Sequence, residues 1–252
     1  MIDFRSLSKS YGAFDALQPL TMTVQRGEVF GFLGPNGAGK TTTIRMMMGI
    51  LVASAGSVTI GGLDCHRERA QVQKLVGYLP DNPVFYDYLR GREILQFVGE
   101  MHGLRRSEAA RQAELSLQEW GLTEATDEFA VNYSMGMKKK LGLACALMHR
   151  PDVLILDEPI NGLDPRAARE VLDRLKTIAG EGRTIFVSTH LLDMAERLCT
   201  RIGILDRGRL VAAGTAAELR REGTTSESLE DIFLRLTEEP NEAPGLAPPR
   251  AA

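Results

Sequence analysis

Apolar positions along the chain recur in two rhythms. Short, nearly continuous apolar runs at residues 28–33, 74–79, 151–157 and 184–190 read as buried strands, since a strand covered on both faces loses its polar alternation. Pro80 ends the second of these. Stretches 42–51, 92–102, 107–120, 138–150 and 166–179 carry helical spacing instead. Ile94, Leu95 and Val98 mark one apolar stripe, and Leu115 and Leu117 another; Gly103 and Gly121 are the stops. The Met46-Met47-Met48 run reads as packing of a helix on a sheet. Ahead of all this, residues 2–8 and 17–24 read as two short strands joined through Tyr11-Gly12-Ala13, and 56–62 as another. Residues 80–150 form a mostly helical insertion between two core strands. Near the C-terminus, 201–205 and 209–213 make a strand pair and 215–221 a short helix. Leu229, Ile232, Phe233 and Leu236 form a stripe that must dock, and capping this domain is its expected role over a part in a dimer. The Pro/Ala-rich tail from Pro240 is expected to be disordered. Strands and helices in this order predict an α/β fold.

Composition narrows the function more than the fold. The 252 residues are 44% hydrophobic and 25% charged, with a net charge of −3, so no nucleic-acid partner is expected. Cys65, Cys145 and Cys199 fall at no metal-binding spacing, and the last two sit in apolar stretches as buried thiols. The N-terminal residues lack the apolar core of a signal peptide, and no uncharged run is long enough to span a bilayer. Service to a membrane would have to run through a partner.

The chemistry begins where the first buried strand breaks into Gly34-Pro35-Asn36-Gly37-Ala38-Gly39-Lys40-Thr41. This is the P-loop spacing, in which backbone N–H groups converge on phosphate oxygens and the following helix adds its positive end. Lys40 reaches the β- and γ-phosphates, the Thr41 hydroxyl ligates Mg²⁺, and Thr42 continues the cradle into the helix. A plain Gly-rich turn explains the glycines but not Lys-Thr in register after them. The strand at 151–157 ends in Asp157-Glu158, an acid suited to Mg²⁺ beside one suited to orienting or deprotonating water. Ser134 is an N-cap candidate; its hydroxyl, the Gly136 N–H and the helix dipole make a second anion site. Taken alone, Lys138 to Lys140 behind it read as a solvated face. His190 ends a strand where open parallel sheets present ligand-binding groups, which favours a γ-phosphate contact. Tyr11 is either a base-stacking ring or a residue closing a small sheet.

The ordered set of Tyr11, GPNGAGKT, the loop after GYLP, YSMGM, VLILDEP, NGLD and His190 resembles the nucleotide-binding domain of ABC ATPases over roughly residues 1–220. The resemblance implies a P-loop NTPase core of mixed, largely parallel sheet, with an N-terminal antiparallel β subdomain and an α-helical subdomain near 80–150. It implies a domain over 1–222, a helical extension over 223–239 and a tail over 240–252. It further implies that Tyr11 stacks on the base, Ser134 to Met137 form the signature loop, and Asp157 is the Mg²⁺-site acid. Glu158 becomes the general base, Asp164 part of the loop between two sites, and His190 the γ-phosphate switch. ATP and Mg²⁺ are the implied ligands. In that family two chains close head to tail, one subunit's P-loop and the other's signature loop sandwiching each ATP.

Two departures stand out. The common LSGGQ signature is Tyr133-Ser134-Met135-Gly136-Met137 here, and Asp81 replaces a Gln that usually follows its strand. An ionised Asp cannot donate a hydrogen bond, but it can accept Mg²⁺ or water. Both changes resemble the ABC-2-type export subfamily. The expected function is therefore the ATP-hydrolysing subunit of an exporter, on the cytoplasmic face of the cell membrane. Its partners would be membrane-spanning permease subunits and a second copy of itself or a paralogue, with Phe85, Tyr86 and Tyr88 either lining the docking groove or packed as aromatic core. A soluble ABC ATPase driving assembly or remodelling is the main alternative. A small-molecule P-loop kinase fits the second anion site and the acidic pair less well.

Overall fold

In a computed structural model, residues 1–221 and 228–237 are described. The chain opens with a long hairpin, β1 (Ile2–Tyr11) and β2 (Phe14–Val24), turning at Gly12 with φ +61°. β3 (Val29–Leu33) follows, every residue buried, and leads through the glycine loop into α1 (Lys40–Met47). This helix starts two residues earlier and ends four earlier than its apolar spacing predicts. Strands β4 (Ala55–Ile60) and β5 (Leu63–Asp64) come next. β1 pairs antiparallel with both β2 and β4, giving a four-stranded sheet in the order β2-β1-β4-β5.

Residues 74 and 75 depart from the expected strand. They close a short helix, α2 (Arg69–Leu75), and β6 spans only Val76–Leu79. The apolar run crosses the helix–strand junction, so periodicity alone cannot mark it. Between β6 and β7 (Val153–Asp157) lie α3 (Gly91–Met101), α4 (Arg106–Glu119) and α5 (Met135–Leu147). Gly103 and Gly121, at φ +91° and +64°, follow the first two of these helices. Leu117 is buried as expected, whereas Leu115 is exposed. The chain then runs through α6 (Pro165–Gly180), β8 (Thr184–Thr189), α7 (Leu192–Leu198), β9 (Arg201–Asp206) and β10 (Arg209–Gly214).

The second sheet has the order β10-β9-β3-β8-β7-β6; β9, β3, β8, β7 and β6 are parallel and β10 is an antiparallel edge. Its residues point alternately to two cores. Val153, Ile155 and Phe186 face the hairpin sheet and α1, while Leu154, Leu156, Ile185 and Val187 face α3 to α6. Phe186 centres the first core, its ring 5.7 Å from Phe30 and 5.4 Å from Phe32. Such ring pairs add roughly 0.5–1.5 kcal/mol each beyond their buried area. Met46, Met47 and Met48 are packed into that core.

At the C-terminal end, α8 (Ala216–Arg221) and α9 (Leu229–Thr237) complete a third apolar cluster. Leu229 and Ile232 are buried there against Leu33, Ile202 and Ile204, with Phe233 and Leu236 partly covered. The stripe thus packs on its own chain. The predicted tail, 240–252, and the ends of the predicted extension, 223–227 and 238–239, lie outside the described residues.

Candidate functional site

The glycine loop owes its shape to close backbone approaches. A Cβ at Gly34 would lie 2.3 Å from the Leu205 carbonyl oxygen, and one at Gly39, where φ is +107°, 2.4 Å from that of Ala16. Real side chains cannot sit there, so the loop is locked against β9 and β2 by the absence of side chains. The Ala38 carbonyl accepts from the Gly208 N–H at 3.0 Å, tying the loop to the β9–β10 turn as well. Lys40 is buried and its Nζ donates to the Gly34 carbonyl at 2.6 Å and the Pro35 carbonyl at 3.2 Å. The ammonium thus lies folded over the loop that it would share with a phosphate.

Above the loop is a cavity of about 560 Å³, lined by residues 36–42 together with Tyr11, Phe14, Ala16, Asp81, Glu158, Asn161 and His190. Tyr11 is 52% exposed, with the Lys9 ammonium 5.0 Å from its ring centroid. A half-exposed ring at a cavity wall can stack on a base, whereas a ring closing a sheet would be covered. Phe14, also exposed on that wall, carries no signal in the sequence that singles it out for the site, whereas Asn161 opens the NGLD motif, of which only Asp164 is an expected site residue.

The carboxylates at the end of β7 have different settings. Asp157 Oδ2 accepts from the Thr41 hydroxyl at 2.9 Å, and Oδ1 accepts from the Ser188 hydroxyl. Burial pushes its pKa up; the two hydroxyl donors oppose that, and the carboxylates of Asp81 and Glu158 add to it. Glu158 is buried too, yet among the described residues neither of its carboxylate oxygens has a hydrogen-bond partner. Lys40 Nζ stands 3.5 Å from Oε1, and His190 Nδ1 stands 3.1 Å from it, near but out of hydrogen-bond alignment. Two cationic or ionisable groups therefore flank a carboxylate whose oxygens accept no hydrogen bond among the described residues. Glu158 itself has φ +48°, which a residue with a side chain keeps only when its surroundings hold it. Its N–H donates to the Ser188 carbonyl at 3.1 Å.

Behind Glu158 lies a residue that sequence patterning misplaces. Lys139, expected on a solvated face, is buried; its Nζ is 3.4 Å from Asp81 Oδ1 and donates to the Glu158 main-chain carbonyl. Burial pushes its pKa down, and the facing carboxylates, Asp81 foremost, oppose that. Lys138 and Lys140 are partly exposed, Lys140 bridging to Glu170 at 2.7 Å. The sequence carries no signal for it: residues three and four positions after each of the three lysines are apolar or small, and Leu141 to Ala144 are all buried.

The second anion site does not share the cavity. Ser134 caps α5, its Oγ accepting from the Met137 N–H at 3.2 Å. Asp164 caps α6, its Oδ1 accepting from the N–H groups of Arg166 and Ala167 at 3.0 Å each, which with other bonds hold its pKa down. The two caps neighbour each other, since Gly136 faces Leu163 and Gly162 faces Met135. The structure thus joins Ser134, Gly136 and Met137 to the Asp164 loop; none of these four residues lines the cavity, although Asn161 at the start of that loop does.

For a divalent ion, the donors at hand are the Thr41 hydroxyl and the carboxylates of Asp157 and Asp81, all hard oxygens of the kind Mg²⁺ takes. No group of three or more His, Cys, Asp or Glu side chains among the described residues is arranged to hold a metal. That fits Mg²⁺, which keeps waters and shares phosphate oxygens instead of filling a protein cage. Among the described residues no helix is long and apolar enough to cross a membrane.

Comparison with known proteins agrees with this geometry. The ABC transporter family model matches residues 17–161. The linearmycin resistance ATP-binding protein LnrL of Bacillus subtilis is 37% identical over 87% of this chain and 70% of its own length. The daunorubicin resistance ATP-binding protein DrrA3 of Streptomyces coeruleorubidus is 39% identical over 90% of this chain and 71% of its own. A solved ATP-binding subunit of an ABC transporter superposes with a TM-score of 0.86 at 34% identity, covering 94% of this chain and 99% of that one. The dimeric cassette MJ0796, in a post-hydrolysis state with ADP and Pi, shares the fold with a TM-score of 0.79 at 20% identity, over 85% of this chain and 98% of its own. Phosphate loop, acidic strand end and relatives converge, and the chain belongs to the ABC transporter family as an ATP-binding subunit, an ATPase.

Proposed function

We propose that this ATPase powers export, closing head to tail with a second copy or a paralogue around ATP while docked to membrane-spanning permease subunits. The observation that carries the reading is that one chain has two anion-ready loops that do not share a cavity. A site split in this way is completed when a second subunit brings its Ser134 loop to the first subunit's glycine loop. The dimeric, ADP- and Pi-bound MJ0796 cassette is a protein of this fold in paired form. The export direction rests on the relatives named for resistance to linearmycin and daunorubicin. The cytoplasmic face of the membrane follows as the place of work.

Within the pair, residues 34–42 cradle the phosphates, Tyr11 stacks on the base, and Ser134, Gly136 and Met137 meet the γ-phosphate from the partner chain. Thr41 and Asp157 hold Mg²⁺, with Asp81 beside them; the ion supplies charge neutralisation at the phosphates. Glu158 takes the proton of the attacking water; among the described residues no hydrogen bond occupies its carboxylate oxygens, and Lys40 Nζ lies 3.5 Å from Oε1. His190 reads the γ-phosphate next to it, and Asp164 links one site to the other. Val84, Tyr86 and Tyr88, exposed after Asp81, offer an apolar face to the permease. Phe85 leaves that set, because it packs against the core of the helical arm.

Glu158→Gln tests the reading. It keeps the cradle but removes the base, so turnover should fall by roughly 100-fold or more while ATP binding persists and the chain accumulates as an ATP-bound dimer in size-exclusion chromatography. Wild-type turnover in that variant refutes the base, and a strictly monomeric ATP-bound form refutes the split site.

A further inference from the structure

Lys139 stands where three separate pieces of the site meet. It belongs to α5, whose first turn is capped by Ser134. Its Nζ reaches Asp81, in the segment after β6, and the carbonyl of Glu158, in the turn after β7. With a side chain 1% exposed, the ammonium has these oxygens where water would otherwise be, and the Asp81 carboxylate supplies the countercharge that burial demands. A neutral amide at position 81 would remove the foremost of the carboxylates that compensate this charge, Glu158 and Asp157 being the others. The departure at Asp81 therefore has a structural complement in Lys139.

The consequence falls on Glu158. No hydrogen bond fixes its carboxylate, and its backbone is in the left-handed region. What holds its main chain is three contacts: the Ser188 carbonyl takes its N–H, and its C=O accepts from the Asn161 N–H at 3.2 Å and from Lys139. The direction in which the carboxylate points is thus set through the peptide groups together with the Lys40 ammonium, 3.5 Å from Oε1. One of the main-chain contacts, the only one of the three from outside the strand ends and their turn, comes from the helix that presents the Ser134 loop.

We propose that Lys139 is a positioning residue for ATP hydrolysis, clamping the Glu158 carbonyl to Asp81 so that the aim of the general base depends on the placement of α5. The proposal rests on Glu158 being that base. Movement of the helical arm during closure would then reach the reacting carboxylate directly, through a single ammonium.

Steady-state ATPase kinetics of the full chain test it, with thermal melting and equilibrium binding of an ATP analogue measured on the same samples. Lys139→Met removes every donor; kcat should fall about tenfold while KM for ATP and analogue affinity stay within about threefold. Lys139→Gln retains a donor for the Glu158 carbonyl and should recover part of that loss at the same KM, a rescue that mere filling of space by Met cannot give. Asp81→Asn should lower kcat in the wild-type background and add little to Lys139→Met, because the pair acts as one unit. A wild-type kcat in Lys139→Met overturns the proposal, as does a KM rise that accounts for the whole loss. If Lys139→Met does not fold, Lys139→Gln and Asp81→Asn decide: lowered kcat at unchanged KM supports the clamp, and wild-type kcat in both sinks it. Glu158→Gln, run alongside, separates the two levels. An inactive Glu158→Gln with a normal Lys139→Met rejects only the clamp, whereas an active Glu158→Gln rejects the base itself.

Discussion

Gly39 and Gly136 both lie at the start of helices in loops suited to anions, yet the chain treats them differently. A methyl group at Gly39 would collide with the Ala16 carbonyl at 2.4 Å, on a backbone at φ +107°. One at Gly136 would meet nothing nearer than the Leu163 side chain at 3.7 Å, and its φ is not positive. The first loop is moulded from within, against β2 and β9. Nothing inside this chain asks for a glycine at the second. Space is left open at Gly136, and the proposed head-to-tail pairing would use it for a partner's nucleotide. On that proposal the P-loop half is shaped within one chain, and the Ser134 half is the face turned to another copy.

The comparison breaks most visibly at Gly39. Gly39→Ala forces either the loop or β2 to shift, at a cost of about 2 kcal/mol or more from strain and overlap together. Analogue binding and ATPase activity should both be lost, and urea denaturation should report the lower stability. Retained binding would show that the loop tolerates reshaping and is not moulded as described.

Effects at the Ser134 loop should be smaller and of a different kind. Ser134→Arg loses a helix cap worth about 1 kcal/mol and places a bulky cation on the offered face. Its ATPase activity should drop about tenfold while analogue affinity of the isolated subunit changes less than threefold. Gly136→Ala is milder still: melting should shift by no more than about 2 °C, with a several-fold loss of activity confined to the dimer. Equal damage to monomer binding at Gly136 and Gly39 would erase the distinction between the two loops.

Much of this was legible before any coordinates, and the gaps have physical reasons. The strands with uninterrupted apolar runs, the P-loop spacing and the Asp157-Glu158 pair can be read directly, because a doubly covered strand and a phosphate cradle constrain residue type locally. Lys139 cannot be told from Lys138 and Lys140 by type or by phase, since the helix is buried at Leu141 through Ala144 and all three lysines precede that run at helical spacing. The apolar pattern places residues 74–75 in the strand because Leu75 and Val76 continue one apolar run across two elements. The helix α7 went unread, following His190 with no stop or cap that separates it from the strand before. The inward turn of Phe85 among exposed Val84, Tyr86 and Tyr88 is a tertiary choice that aromatic content cannot express.

The effect least visible at neutral pH concerns the joint between the two halves. Near the ends of α3 and α5, the rings of His102 and His149 stack nearly parallel at 3.8 Å, close to Val76 at the start of β6, so the pair helps hold the helical arm to the sheet. Neither ring nitrogen of His149 has a hydrogen-bond partner among the described residues. Burial pushes its pKa down to about 4, with His102 adding to the effect, against an ordinary value of 6.5. Burial lowers the pKa of His102 as well. Between these values the unfolded chain binds a proton at position 149 that the folded chain refuses, so stability rises with pH across this window. The contribution is present above pH 6.5 and is lost as the pH falls towards 4, on the order of 2 kcal/mol after allowing for the ring's partial exposure. His149→Phe keeps an aromatic ring for His102 to stack on and removes the titration. Urea denaturation at pH 7.5 should barely distinguish it from the wild type, whereas at pH 5 the variant should retain stability that the wild type loses. If both lose stability in parallel from pH 7.5 to 5, the acid sensitivity of the joint lies in groups other than His149.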